Sequence, residues 1–312
     1  MGKLAFLFPG QASQYAGMGR ELFANFAIAR GVFGEADDAL GFPLSQMCFK
    51  GTAQELQLTE NTQPAILTVS VAAYRVAISE GLALPDYVAG HSLGEYSALV
   101  AAGGLTLSDA VCTVRQRGRF MQEAVPVGQG AMAAVMGADL NLLLEVCAEA
   151  AQGEVCSPAN INSGNQIVIA GHSAAIDRAF SLLKEKGIRK AIKLNVSAPF
   201  HCALMQTAQD RLAAVLAELK FTALSIPLIT NFAGAPNLNQ EKARQALVQQ
   251  VTAPVRWYQS IEFLLNAGVT NFAEIGPGKV LCGLLRQINR EARCLNVEDT
   301  ASLQATLEAL TA

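Results

Sequence analysis

Histidine is scarce in this chain: His91, His172 and His201 are the only three in 312 residues, and no two of them stand at metal-ligand spacing. The seven cysteines, Cys48, Cys112, Cys147, Cys156, Cys202, Cys282 and Cys294, are scattered and form no C-x-x-C pair. A Cys/His metal centre is therefore excluded, and neither a metal nor a resident cofactor is expected. An odd, dispersed cysteine set reads as reduced thiols in a cytoplasmic protein. Basic charge is also short: the net charge is −3. With no nucleic-acid reading motif and no interleaved aromatics, nucleic acid is excluded as a partner. No apolar run reaches membrane-spanning length. The opening MGKLAFLFPG is too short for a signal peptide, and Phe6 breaks the myristoylation pattern. Repeats and low-complexity segments are missing.

What is present is apolar. Hydrophobic residues make up 51% and charged residues 16%, the balance of a folded globule rather than a disordered chain. The length suits one large domain or two smaller ones and needs no covalent staples. A monomer is expected.

Periodicity organises the chain. Leu4 to Phe8 reads as a buried strand ended by Pro9-Gly10. A helix is expected over 62–80, with Thr62 as its start and Pro64 just inside. Tyr87 to Gly90 reads as a strand and Glu95 to Ala102 as a helix stopped by Gly103-Gly104. Strands alternating with helices in this way imply a parallel α/β sheet. The middle differs: strand 131–136, helix 140–151, strands 155–161 and 167–170 around Asn162-Ser163-Gly164-Asn165, helix 174–186 capped by Ser173, strand 190–196. That β-α-β-β-α-β order is ferredoxin-like. The expected organisation is a large α/β domain from residues 1–127 and 198–312, with a ferredoxin-like subdomain inserted at 128–197.

Gly90-His91-Ser92-Leu93-Gly94 is a G-x-S-x-G pattern between a strand and a helix. Such an elbow exposes a serine hydroxyl at a helix N-terminus, with the Leu93 amide facing any oxyanion formed on an acyl group. The competing reading is a glycine-rich turn with a bystander serine. A serine nucleophile needs a base. His91 is adjacent and points elsewhere, and His172 lies in the insert. His201 falls where the chain re-enters the large domain, so it is either that base or an ordinary packed histidine. On the helix expected over 107–122, Arg117 falls on the packed face, with Arg115 and Arg119 opposite. A buried guanidinium requires an anion, either an internal carboxylate or a bound one.

The motifs PGQ at 9–11, TQPA at 62–65, GHSLGE at 90–95, QRG at 116–118, FHCALM at 200–205, PVRW at 254–257 and EIGPG at 274–278 together resemble the malonyl-CoA:acyl carrier protein transacylases. That resemblance implies a hydrolase-like α/β core with a ferredoxin-like insert. It also implies malonyl transfer from malonyl-CoA, through an ester on Ser92, to the phosphopantetheine thiol of an acyl carrier protein. On the same basis His201 is the base, oriented by the Gln250 backbone carbonyl. The amides of Gln11 and Leu93 form the oxyanion hole, Arg117 binds the malonyl carboxylate, and Asn160 and Asn162 line the pantetheine channel. Phe200 stands where many housekeeping members have serine and is expected to set malonyl selectivity. Both fatty acid and polyketide synthesis use such enzymes. The alternatives are a trans-acting polyketide acyltransferase for other extender units, an acyl-thioester hydrolase, and a non-catalytic acyl-binding subunit. The basic stretch LLKEKGIRKAIK at 182–193 is either a carrier dock or a solvated face.

Overall fold

The computed structural model describes residues 2–196 and 198–311. Met1, Ser197 and Ala312, which the expected domain limits include, lie outside the described residues. Among the described residues ten strands form two sheets: β1 Lys3–Phe8, β2 Tyr87–Gly90, β3 Gly130–Met136, β4 Cys156–Ser163, β5 Gln166–His172, β6 Lys190–Lys193, β7 Leu228–Thr230, β8 Ala235–Asn237, β9 Val269–Ile275 and β10 Arg293–Val297.

The large sheet runs β10-β9-β1-β2-β7-β8. Its first five strands pair in parallel, and β8 closes the edge antiparallel to β7. Both faces are covered. Leu4, Phe6 and Phe8 alternate to one side, with Ile66, Val69 and Tyr96 from helices. Ala5 and Leu7 alternate to the other, against Trp257, Ile261 and Leu285. This two-sided burial is why β1 reads as an unbroken apolar run rather than an alternating one.

The small sheet is antiparallel, ordered β4-β5-β3-β6, with helices Leu140–Ala151 and Ser173–Glu185 packed on it. It encloses its own core of Ala133, Val135, Leu143, Ile169, Ile176 and Leu183. The order and connectivity are those of the expected ferredoxin-like unit beside a hydrolase-like core. Asn160 of β4 forms an isolated parallel bridge with Val255, just before helix Trp257–Asn266. No helix among the described residues is long and apolar enough to cross a membrane.

Four expectations are corrected. The helix expected from 62 spans Thr59–Ser79, because the Leu58 carbonyl already accepts from the amides of Asn61 and Thr62; Pro64 therefore stands inside it. Ser173 is not a cap: β5 runs up to His172, which is the N-cap, and the Ser173 hydroxyl instead accepts from Lys193 Nζ at 3.1 Å. Strand β6 stops at Lys193, three residues early. The cysteines are not all thiols. Cys282 and Cys294 form a disulfide, because helix Val280–Ile288 leaves β9 and returns to the neighbouring strand β10, bringing their Cα atoms to 5.5 Å. The other five cysteines are free.

Candidate active site

Parallel strands β1, β2 and β7 end side by side, and each delivers one residue to the same place: Gln11 after β1, Ser92 after β2 and Asn231 after β7. The carboxyl ends of such strands form the usual ligand crevice of an open α/β sheet. The elbow is built by two close approaches. A Cβ at Gly90 would overlap the carbonyl of Gly94, and one at Gly94 would overlap the carbonyl of Phe8. The left-handed dihedral falls on Ser92 itself, at φ 51°. Asn231 ties the elbow down from both sides: its Oδ1 accepts from the Ser92 amide at 2.6 Å and its Nδ2 donates to the Gly90 carbonyl at 2.7 Å. Leu93 is the N-cap of helix Gly94–Ala101, at the end where backbone amides lack helical acceptors.

His201 meets this serine. Its Nε2 lies 2.7 Å from Ser92 Oγ, and its Nδ1 lies 2.8 Å from the backbone oxygen of Gln250. A carbonyl can only accept, so Nδ1 carries the proton and Nε2 is left to accept from the hydroxyl. The histidine is buried and also has a left-handed backbone, φ 59°. Burial, and then the nearby Arg117 charge, push its pKa down to about 3, so the imidazole is neutral and able to take a proton.

Arg117 projects from helix Leu107–Glu123, started by Thr106, whose hydroxyl accepts from the Asp109 amide. The helix packs closely on Thr59–Ser79 at Gly118, where a Cβ would lie 2.6 Å from the Thr59 carbonyl. Arg117 is only 2% exposed, as its place on the wheel requires. It donates through Nη1 to Gln63 Oε1 at 2.8 Å and through Nη2 to Gln250 Oε1 at 2.8 Å and Ser92 Oγ at 3.1 Å. Its Nε is buried with no acceptor. Among the described residues no carboxylate pairs with it. The internal salt bridge that sequence reasoning kept open is therefore not present, and a cation with unused donors faces the serine.

A cavity of about 150 Å³ covers these groups, lined by Gln11, Gln63, His91, Ser92, Arg117, Asn160, Phe200 and His201, with Met121, Met132, Leu194 and Val196 as apolar wall. A second, wider cavity of about 470 Å³ shares Gln11, Ala12 and Val196 with it and opens outward past Tyr15 and Gln57. Of the two asparagines expected in a channel, Asn160 reaches the cavity. Asn162 does not; its Oδ1 lies 2.9 Å from His91 Nε2. His91 is thereby occupied, its ring also set against Trp257 at 5.5 Å between centroids. His172 is remote from the site, its Nδ1 accepting from the Val155 amide. Among the described residues no cluster could hold a metal.

Three residues around this site escaped the sequence reading: Gln63, Asn231 and Glu95, whose Oε2 accepts from Gln250 Nε2 and the Asn231 amide. Gln63 and Glu95 sit inside motifs that were recognised, TQPA and GHSLGE, but a motif does not say which of its polar residues turn inward. Asn231 stands in no motif, and only the pairing of β2 with β7 brings it to the elbow.

The chain matches the Acyl transferase domain family over residues 5–305. It is 46% identical over 308 residues to the malonyl CoA-acyl carrier protein transacylase of Escherichia coli K12, covering 99% of this chain and all of that one. The solved malonyl CoA-acyl carrier protein transacylase of Coxiella burnetii superposes with a TM-score of 0.97 at 41% identity, over 100% of this chain and 98% of that one. A malonyl-transacylase solved in complex with a type II polyketide acyl-carrier protein gives 0.95 at 44% identity, over 98% and 99%. With its elbow, its histidine and its buried arginine in one crevice, and with similarity along essentially its whole length, the chain belongs to the malonyl-CoA:acyl carrier protein transacylase family.

Proposed function

We propose that this enzyme transfers a malonyl group from malonyl-CoA to the phosphopantetheine thiol of an acyl carrier protein, by way of an ester on Ser92. The observation that carries the reading is a single cavity in which Ser92 Oγ lies 2.7 Å from His201 Nε2 and 3.1 Å from Arg117 Nη2.

The chemistry follows from those three groups. Ser92 Oγ attacks the thioester carbonyl while its proton passes to His201 Nε2. The resulting imidazolium keeps its Nδ1–H on the Gln250 carbonyl. No carboxylate is needed there, because a fixed acceptor already selects the tautomer. The oxyanion is met by the amides of Gln11 and Leu93, and the C–S bond then breaks as His201 returns the proton to the departing CoA sulfur. The carrier thiol reverses the sequence: it gives its proton to His201, attacks the seryl ester, and releases Ser92 as the hydroxyl. Arg117 holds the far carboxylate of the diacid through a charge-assisted pair. That carboxylate also offsets the guanidinium charge that depresses His201, so the base is strengthened when the right substrate is bound.

Residues 128–197 read as the inserted subdomain of this enzyme, a division supported by the separate core of the small sheet. Asn160 and Phe200, on the cavity wall, are read as contacts to the pantetheine arm and the acyl group. Mass spectrometry after exposure to malonyl-CoA tests the proposal. A malonyl adduct on Ser92 that discharges onto added carrier protein is the expected result. An adduct lost to water at the same rate with or without carrier makes the enzyme a hydrolase, and no adduct makes it a binding subunit.

A further inference from the structure

Glu95 is a wholly buried carboxyl that the transfer chemistry does not use. It sits in the first turn of helix Gly94–Ala101, three residues after Ser92. Its Oε2 accepts from Gln250 Nε2 at 2.7 Å and from the Asn231 amide at 3.0 Å, while Oε1 has no partner. Burial pushes its pKa up to about 7, against the hydrogen bonds from Asn231 and Gln250 and the Arg117 charge, which pull it down. An isolated buried carboxyl is costly, and its position here calls for a reason.

The reason lies in the Gln250 side chain. An amide has one accepting end and one donating end. The donating end of Gln250 bonds Glu95 Oε2 and, at 3.0 Å, the Ser92 carbonyl. The accepting end then faces Arg117 Nη2 at 2.8 Å. Were the amide turned over, its NH₂ would meet the guanidinium donor to donor, and its oxygen would meet Glu95 acceptor to acceptor. Glu95, the closest of the acceptors at that end, therefore fixes together with the Ser92 carbonyl and Asn231 Oδ1 which end of Gln250 Arg117 sees. It also keeps a carboxyl one amide away from the guanidinium instead of in contact with it. A direct pair would occupy the N–H groups that a diacid substrate must use, whereas the relayed arrangement leaves Arg117 without a carboxylate partner among the described residues.

We propose that Glu95 is a positioning residue that aims the Arg117 guanidinium at the acyl pocket through the side-chain amide of Gln250; this rests on reading Ser92 as the acylated group and Arg117 as the carboxylate binder. The role concerns only substrates with a free carboxylate, and that separates it from simple support of the elbow. The test compares single-turnover acylation of Ser92 by malonyl-CoA and by acetyl-CoA in the parent, Glu95→Ala and Glu95→Gln. In Glu95→Ala the malonyl-to-acetyl rate ratio should fall roughly tenfold or more, with the loss concentrated in KM for malonyl-CoA. Glu95→Gln, whose amide oxygen still accepts from Gln250, should keep the ratio within about threefold of the parent. If Glu95→Ala does not fold, Glu95→Met fills the volume without an acceptor and carries the same expectation. Equal losses for the two thioesters overturn the proposal and reduce Glu95 to a support of the elbow. So does a ratio in Glu95→Gln as low as in Glu95→Ala. A parent enzyme acylated by neither thioester fails the functional reading itself, a result visible before any variant is made.

Discussion

The two walls of the cavity are built differently. On the elbow wall, Ser92, His201, Arg117 and Gln63, with Gln250, Glu95 and Asn231 behind them, are buried or nearly so and joined by a continuous set of hydrogen bonds between 2.6 and 3.1 Å. On the wall beneath the small sheet, Met132, Leu194 and Val196 offer only apolar surface, and Asn160 is its one polar residue. Beyond that wall the stretch 182–193 exposes Lys184, Lys186, Arg189, Lys190 and Lys193 to solvent. One wall is fixed by many partners per residue and the other by shape and loosely held charge. Groups in one hydrogen-bonded network do not contribute independently. Change on the elbow wall should therefore be severe and shared, and change on the other side graded and local.

Arg117→Ala tests the severe side and should have the largest effect. Removing one member of a buried charge pair costs about 2–5 kcal/mol. Malonyl transfer should fall roughly 30- to 5,000-fold while Ser92 remains open to acylation by acetyl-CoA. Unchanged malonyl kinetics would show that the network is not the carboxylate site. Phe200→Ser lies between the two walls: Phe200 is nearly buried beside His201 and lines the cavity. Discrimination by a methyl group in a pocket amounts to about 1–3 kcal/mol. The variant should gain methylmalonyl-CoA use within that range, with malonyl turnover largely kept. A parent enzyme that uses both CoA esters equally would remove Phe200 from the selectivity argument. Lys190→Glu belongs to the exposed side and should show the smallest effect. Transfer to an acidic carrier should slow roughly severalfold, more at low salt, with acylation by malonyl-CoA unaltered. Equal slowing of both half-reactions would mean that the stretch is a solvated face and not a dock.

The same contrast explains what was legible in the sequence. The small sheet is local: its six elements follow one another, and periodicity alone gives its order. The elbow is also local, because the glycines that permit it sit two residues either side of Ser92. Arg117 could be read as inward from the wheel because its neighbours Val114 and Met121 are apolar and buried. The interior of the network was not legible. Glu95 meets Gln250 across 155 residues, and Ser92 meets Asn231 across 139. No period marks a polar residue that turns inward to satisfy another. The cysteine pairing failed for a similar reason: Cys282 and Cys294 become neighbours only through the parallel crossover from β9 to β10.

Among the described residues only four other than glycine have a positive φ, and Ala12, Ser92 and His201 of these line the cavity. A side chain in that conformation costs on the order of 1–3 kcal/mol, and glycine would take it without penalty. At Ser92 and His201, then, the residue that best relaxes the backbone is the one that cannot react. Selecting variants of this enzyme by heat resistance alone would favour glycine at Ser92, where only a small, partly buried hydroxyl is lost, and so enrich for sturdy, inert protein.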